Sequence, residues 1–349
     1  MLLKKTFFHC LYRLLSIYLY QYKNNDDSSK NSIIVIDTAE NFFLTQTHTE
    51  VLCFNYKGNL IWKKTFGKEK GIFFMSKPLI YKDKIYLSSL NKKLLIFDFK
   101  TGNQINTIIT PGSISFGYAI SRYKDTLFLP YPDGIYLFNT KDSSLIEKPI
   151  IQIKSPSQPV IDGNTIYISS LIDNTLYAYN INGGKLWSYP LNNRNLIQPT
   201  IINNNIYIGD NSGYIYKIDK NGNLQNNINL YSGIASIITQ YDKYLFIILK
   251  NGTLYKLNQS NLEIENSIKI PYILDKYDEN FIFTILIINN IITTGNNNGE
   301  IIFIDPVKLN IINNLKLSDY SITSIGSYSN NSFLIGSSNG EIIKLIKDL

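Results

Sequence analysis

Few residues in this chain have the type and spacing that catalysis requires. Its two histidines, His9 and His48, have no cysteine or carboxylate at metal-ligand spacing, so no metal site is expected. The two cysteines, Cys10 and Cys53, are far apart and supply no disulfide framework. Cys53 lies in the strand-like stretch Glu-Val-Leu-Cys-Phe-Asn-Tyr and is expected to pack as a small apolar residue. A phosphate loop and a dinucleotide glycine pattern are both missing from the sequence. The segment Gly295-Asn296-Asn297-Asn298-Gly299 joins strand to strand, with no helix N-terminus to hold an anion. No catalytic, cofactor-binding or metal-binding residue is assigned, no cofactor is expected, and the protein is not expected to be an enzyme.

The groups that remain are suited to binding. Arginine occurs only at Arg13, Arg122 and Arg194 in a chain otherwise dominated by lysine. A guanidinium offers several directed donors and suits a carboxylate across an interface better than an ammonium does. Most of the 26 tyrosines, including Tyr167, Tyr177, Tyr179, Tyr207 and Tyr216, fall at equivalent strand positions and are expected in the core. Tyr231, Tyr272 and Tyr277 lie in or beside turns, where an aromatic ring can anchor a partner. The formal net charge of +7 and pI near 9.0 could suggest nucleic acid, but the lysines are scattered among strands and turns. No nucleic-acid partner is expected.

These residues are carried by a repeated unit of about 40 residues, the sequence sign of a propeller blade. The clearest copy is 197–230, where three β-branched runs are separated by turns at 203–205, 210–213 and 220–222, with a fourth strand after Asn223. Units begin near Ser32, Lys77, Gly117, Ser157, Ile197, Ile234, Phe283 and Ile322. The longer interval before Phe283 places a loop insertion at 271–280. Continuous apolar runs such as 166–168, 206–208, 245–248 and 333–335 predict strands buried on both faces. Asp-Gly, Ser-Gly and Asn-Gly pairs follow them and tolerate the positive φ of tight hairpins. With 44% hydrophobic and 17% charged residues, the chain can bury a large core. The expected fold is all-β, a single eight-bladed β-propeller of four-stranded antiparallel blades over residues 32–349.

Residues 1–31 stand outside the repeat. A basic start at 1–5, an apolar run at 6–20 and a polar stretch at 23–30 resemble an export signal. His9 and Arg13 interrupt the apolar run, no small-x-small site follows, and lipidation at Cys10 is not supported. The last unit has three strands, so the alternative is that part of 10–31 supplies its fourth as a closing strand.

The phrase Leu176-Tyr177-Ala178-Tyr179-Asn180-Ile181-Asn182-Gly183-Gly184-Lys185-Leu186-Trp187 resembles the PQQ-like propeller repeat. Weaker copies occur at 97–102 and 55–62, and the resemblance covers most of the chain. The quinoprotein branch of that family holds its quinone with a vicinal disulfide, and this sequence has no adjacent cysteines. The other branch, the BamB type of outer-membrane assembly factor, is similar through Trp187, Pro190-Leu191-Asn192-Asn193-Arg194, Pro199-Thr200 and Gly209-Asp210-Asn211-Ser212-Gly213. That resemblance implies that Leu191 and Arg194 belong to a partner-docking loop, although Asn193 stands where the family carries a second leucine. It also implies a non-catalytic scaffold in the periplasm or on the periplasmic face of the outer membrane, with a cytoplasmic location left open. The partners implied are proteins, including the barrel assembly machinery and nascent outer-membrane chains. The chain is then a monomer within a complex, peripheral to the membrane, that binds through loops on one face and by strand addition at blade edges. The alternative is a general protein-interaction module unrelated to barrel assembly.

Overall fold

The computed structural model describes residues 4–8, 15–19, 35–39, 42–46, 49–55, 59–66, 74, 76–113, 119–195, 197–271, 282–329 and 332–346. Expectations placed on His9, Cys10, His48, Tyr272, Tyr277 and nearly all of the 271–280 insertion lie outside these residues.

Seven sheets succeed one another along the chain, each an antiparallel meander of neighbouring strands: 35–65, 79–109, 121–152, 160–190, 200–229, 239–269 and 285–316, here blades I to VII. Six have four strands. Blade III has five, because its outer edge is split into Ser144–Leu145 and Ile151–Gln152, both paired with Gly134–Asn139. The first strands of neighbouring blades lie beside one another between I and II, III and IV, and VI and VII, which places them nearest the axis. Val35–Ala39 of blade I also lies beside Ile322–Ser329, so the ring closes between the ends of the repeat region.

The expectation of eight four-stranded blades is corrected: the ring has seven blades. The eighth sequence unit forms a three-stranded sheet of Ile322–Ser329, Ser332–Ser337 and Ile342–Ile346. Counting the recurring phrase counts second and third strands, and among the described residues the last sheet has three strands. A separate hairpin, Lys4–Phe8 with Leu15–Leu19, places its second strand alongside Ile342–Ile346.

The apolar runs are continuous because each second strand is buried between two neighbours. Successive side chains point to opposite faces, so Ile206 and Ile208 pack toward blade IV while Tyr207 packs toward blade VI. In the same way Leu245 and Ile247 face blade V, and Phe246 and Ile248 face blade VII. Each interface has its own apolar layer, from Leu44, Val51 and Ile85 between I and II to Ile301, Phe333 and Ile335 between VII and the last sheet. At the end of every third strand an Asn or Asp accepts backbone N–H groups of the following turn, as Asp219 does from Asn221 and Asn223 at 2.9 Å each. Asn55, Asp98, Asn139, Asn180, Asn258 and Asp305 repeat this in the other six blades.

Four of the joints between blades come in two chemical forms. In the first, an outer-strand tryptophan lies on the glycine of the next blade's turn. Trp62 Nε1 donates to Phe99 O at 2.9 Å, and Trp187 Nε1 donates to Lys220 O at 2.8 Å. A Cβ on Gly102 would stand 2.5 Å from the Trp62 ring, and one on Gly222 would stand 2.7 Å from Trp187; both glycines have positive φ. Opposite each tryptophan across the ladder is a small residue, Cys53 or Ala178.

In the second form, asparagine replaces tryptophan, lysine replaces the small residue, and leucine replaces glycine. Asn226 pairs with Lys217 in blade V, and Asn266 with Lys256 in blade VI. Lys217 Nζ donates to Ser260 O at 2.7 Å and Lys256 Nζ to Val307 O at 2.8 Å, both carbonyls of the next blade's turn. The glycine position holds Leu262 and Leu309, buried at 0% and 2% exposure although their φ values are +60° and +52°. Left-handed backbone at a non-glycine residue costs about 1 kcal/mol or more. Burying a leucine side chain stabilises by about 1.5–3 kcal/mol, enough to offset that cost.

Two predictions follow from this packing. Gly222→Leu should destabilise by about 3 kcal/mol through overlap with Trp187 and backbone strain. Adding Trp187→Asn and Ala178→Lys should recover about 1–3 kcal/mol of that loss, a non-additivity measurable by urea unfolding. Burial pushes the Tyr179 hydroxyl up to about 12, above its unfolded value near 10. The stability this confers is complete below pH 10 and lost as pH rises through about 12. Tyr179→Phe should therefore flatten the alkaline fall in unfolding free energy by up to about 1.4 kcal/mol per pH unit.

Candidate partner-binding face

One end of the ring carries the turns between second and third strands together with the longer loops that pass from blade to blade. The loop from blade IV to blade V, 191–199, contains both residues singled out from the sequence. Its first residue, Leu191, is 6% exposed and packs with Tyr167, Leu176, Ile208 and Tyr216 at the IV–V interface. Leu191 therefore serves the core and presents no side chain to a partner in this conformation. The apolar pattern of the outer strand simply continues one residue past Pro190, where the Leu191 amide donates to Asn174 O at 2.7 Å.

The loop is then fastened by two buried polar groups. Asp210, 1% exposed, accepts on Oδ1 from the Ser212 amide (2.9 Å), the Ser212 hydroxyl (2.7 Å) and the Tyr214 amide (3.1 Å). Its Oδ2 accepts from the Tyr216 hydroxyl at 2.9 Å and the Asn193 amide at 3.2 Å. Tyr216 in turn accepts from the Asn192 amide at 3.0 Å, and burial holds its hydroxyl well above the usual tyrosine range. Asn195, also 1% exposed, accepts from the Ser169 hydroxyl at 2.9 Å and the Ile197 amide at 3.1 Å, and donates to Gly209 O. A buried carboxylate is tolerable only when so supplied with donors. The consequence is a loop whose backbone is held at 192, 193, 195 and 197.

Arg194 sits between these fixed points. Its amide donates to Asn193 Oδ1 at 2.8 Å, and its carbonyl accepts from the Asn211 amide at 2.9 Å. The side chain is exposed and makes no ion pair with a described residue. On the same end of the ring Ile172, Ile237 and Tyr231 are exposed at 63%, 41% and 88%. Tyr231 is held at φ +59°, with its amide donating to Asn229 Oδ1 at 2.8 Å. An aromatic residue in left-handed backbone at a solvent-facing tip is uncommon and marks a site of interest. Tyr231 is legible in the sequence as a turn aromatic. Asp210 and Asn195 were not singled out, though the Asp-x-Ser-Gly pattern at 210–213 is the sequence mark of a side-chain-capped turn. Nothing in the sequence distinguishes Ile172 from a buried isoleucine.

Both tryptophans are committed to joints between blades, and Cys53 is a buried thiol that desolvation pushes up to about 12. Among the described residues no three His, Cys, Asp or Glu side chains are grouped to hold a metal ion, and no helix is long and apolar enough to cross a membrane.

A ring of repeated antiparallel meanders, joined by tryptophan-on-glycine contacts and fed by side-chain-capped turns, defines a β-propeller of the PQQ-repeat class. The chain belongs to the PQQ_2 family, described as outer membrane protein assembly factor BamB, whose profile matches residues 26–264. Among solved structures it is similar to BamB from Moraxella catarrhalis, at 14% identity and a TM-score of 0.75, covering 95% of this chain and 99% of that one. Sqt1 from Saccharomyces cerevisiae is similar at 12% identity and a TM-score of 0.75, covering 94% and 100%. The computationally designed protein Ika8 is similar at 14% identity and a TM-score of 0.71, covering 90% and 96%. No curated protein matches the sequence. At these identities the structural likeness concerns the fold.

Leu191→Ala is expected to cost about 2–4 kcal/mol in urea unfolding, as a truncation in a packed interface. Arg194→Ala is expected to stay within about 0.5 kcal/mol of the parent, as an exposed side chain that supports nothing beneath it.

Proposed function

We propose that this protein is a non-catalytic scaffold of the bacterial cell envelope that binds partner proteins in outer-membrane protein assembly. It works in the periplasm or at the periplasmic face of the outer membrane. The observation that carries the proposal is Arg194: an exposed guanidinium without a described partner, fixed on a loop that buried Asp210 and Asn195 hold rigid, in a chain of the BamB family. A preorganised arginine loses little freedom when it meets a carboxylate on a partner. Ile172, Tyr231 and Ile237 on the same face supply apolar and aromatic contact area around it.

A second reading, a protein-interaction propeller outside barrel assembly, is supported by the equal likeness to Sqt1. The two separate cleanly by location and by partner. With the tagged protein as bait, detergent extracts of the outer membrane should yield the barrel assembly machinery. Arg194→Glu should lower that yield about tenfold or more, with Arg194→Lys in between. Retention of every partner by Arg194→Glu would remove the docking role of this residue. A cytoplasmic location in cell fractionation would remove the envelope reading and leave the second one.

A further inference from the structure

Five Asn-Gly pairs lie in turns of the described residues: Asn182-Gly183, Asn221-Gly222, Asn251-Gly252, Asn298-Gly299 and Asn339-Gly340. Glycine supplies the positive φ these turns need, between 75° and 90° at all five. Such a pair also carries a latent reaction. The glycine amide nitrogen attacks the side-chain carbonyl carbon of the asparagine and forms a new C–N bond. The bond to the side-chain amide nitrogen then breaks, and ammonia leaves with the proton lost from the glycine amide. Water opens the resulting cyclic imide to aspartate or isoaspartate. Glycine has no Cβ to hinder the approach. In a folded chain the reaction requires a glycine amide that is weakly held, an asparagine side chain free to swing, and activation of the nitrogen by loss of its proton.

The five pairs differ in all three respects. The amides of Gly183, Gly222, Gly252 and Gly340 donate to Asn180 O, Asp219 O, Leu249 O and Ser337 O at 2.9, 3.1, 2.8 and 3.1 Å. The Gly299 amide reaches Asn296 O only at 3.4 Å, beyond the usual length of such a bond. The Asn251 side chain accepts from the Thr253 amide at 3.0 Å, and that of Asn339 from the Glu341 amide at 3.2 Å and the Ser337 hydroxyl. The side chains of Asn182, Asn221 and Asn298 make no hydrogen bond to a described residue. Lysine donates to the asparagine carbonyl at two pairs, Lys269 to Asn251 O at 2.9 Å and Lys316 to Asn298 O. That carbonyl shares its peptide bond with the glycine nitrogen, so a cation on it stabilises the negative charge left when the amide loses its proton. Only at Asn298 do the long amide bond, the free side chain and the cation coincide.

We infer that Asn298 is a self-modification site, converted through a cyclic imide with Gly299 to aspartate and isoaspartate, with Lys316 activating the Gly299 amide. The turn it alters fastens the chain that leads from blade VII to the last sheet. Leu317 and Ser318 amides donate to Gly299 O at 2.9 and 3.2 Å, the Ser321 hydroxyl to Asn297 O at 3.2 Å, and the Ile322 amide to Asn296 O at 2.9 Å. The fit is close, since a Cβ on Gly299 would stand 2.0 Å from Ser318 O. Isoaspartate carries the backbone through the side-chain carbons and lengthens it by one methylene, which these bonds cannot all follow. The modification therefore loosens the joint between blade VII and the last sheet. It is independent of docking at Arg194 and of the envelope reading.

The test ages the full chain in mildly alkaline buffer, folded and in urea, and reads conversion at each pair against time by peptide mapping and mass spectrometry. In urea the five pairs should convert at similar rates. In the folded chain Asn298 should convert first. Lys316→Met should slow that conversion about tenfold, the effect on a rate of one charge-assisted hydrogen bond, with Lys316→Arg close to the parent. In urea Lys316→Met should have no effect. Earlier conversion at any other pair in the folded parent overturns the proposal, as does no conversion at Asn298. Equal folded-state rates in the parent and Lys316→Met overturn the activating role of Lys316. The order of conversion in the parent keeps the test valid should Lys316→Met fail to fold. The isoaspartyl fraction should unfold at lower urea than the parent, and Asn298→Asp, which keeps the backbone length, should unfold as the parent does. Equal midpoints for the isoaspartyl fraction and the parent overturn the loosening of the joint.

Discussion

One interaction recurs at four of the joints between blades: a backbone carbonyl of a blade's outer turn receives a side-chain donor from the blade before it. Blades I and IV make it with an indole N–H on Phe99 O and Lys220 O. Blade V makes it three times, with Tyr207 on Gln259 O, Lys217 on Ser260 O and Asn226 on Asn261 O. Blade VI uses Lys256 on Val307 O. The bond to Phe99 O is buried, and there an unpaired acceptor costs more than a bond gains. The identity of the donor is therefore free to change while its position is not, provided the volume beneath it is refilled. Tryptophan with Cys53 or Ala178 over glycine, and asparagine with lysine over leucine, are two solutions of one packing problem.

That freedom explains what the sequence discloses and what it hides. The second strands were legible as continuous apolar runs because burial between two blades leaves no polar alternation, and Ile166–Ile168, Ile206–Ile208 and Leu245–Ile248 are all fully buried. Third strands were legible through the Gly and Asn turns that precede them. The joints were not. Loss of tryptophan from blades V and VI looks like decay of the repeat until Asn226 is seen opposite Lys217 and ahead of Leu262 in the next blade. The covariation lies across a ladder and across a blade boundary, about 10 and 36–45 residues away in the chain, so no local pattern exposes it. The blade count failed for a related reason. A phrase made of second and third strands recurs in the last unit, but a blade is completed by its outer strand, and the sequence pattern of outer strands is the weakest of the four.

The candidate site was half legible. The loop was found through a resemblance, and Arg194 does reach solvent from it. Leu191 is the counterexample, because hydrophobicity alone does not say on which side of a loop a residue falls. What decides the side is the fastening of the loop from below. Asp210 takes the Asn193 amide and Asn195 takes the Ile197 amide, so the backbone between them is turned with Arg194 outward and Leu191 already committed to the interface with Tyr216. Sequence reasoning that starts from candidate contact residues misses such anchors, since their own side chains are buried and touch no partner.

A ring built this way has little surface on which recognition can evolve without damage. The flat sides of the blades face one another and are filled by apolar layers such as Ile85, Leu87 and Phe97 between I and II. The turns on one end are tied up as acceptors and caps, from Asp98 in blade II to Asp305 in blade VII. What remains are the longer loops of the opposite end and the outer strand edges. The edges are largely neutralised by Lys63 and Lys64, Pro190, Glu265 or self-covering asparagines. Against that background Arg194 is the departure: an exposed guanidinium on a loop that the buried Asp210 and Asn195 fasten from below.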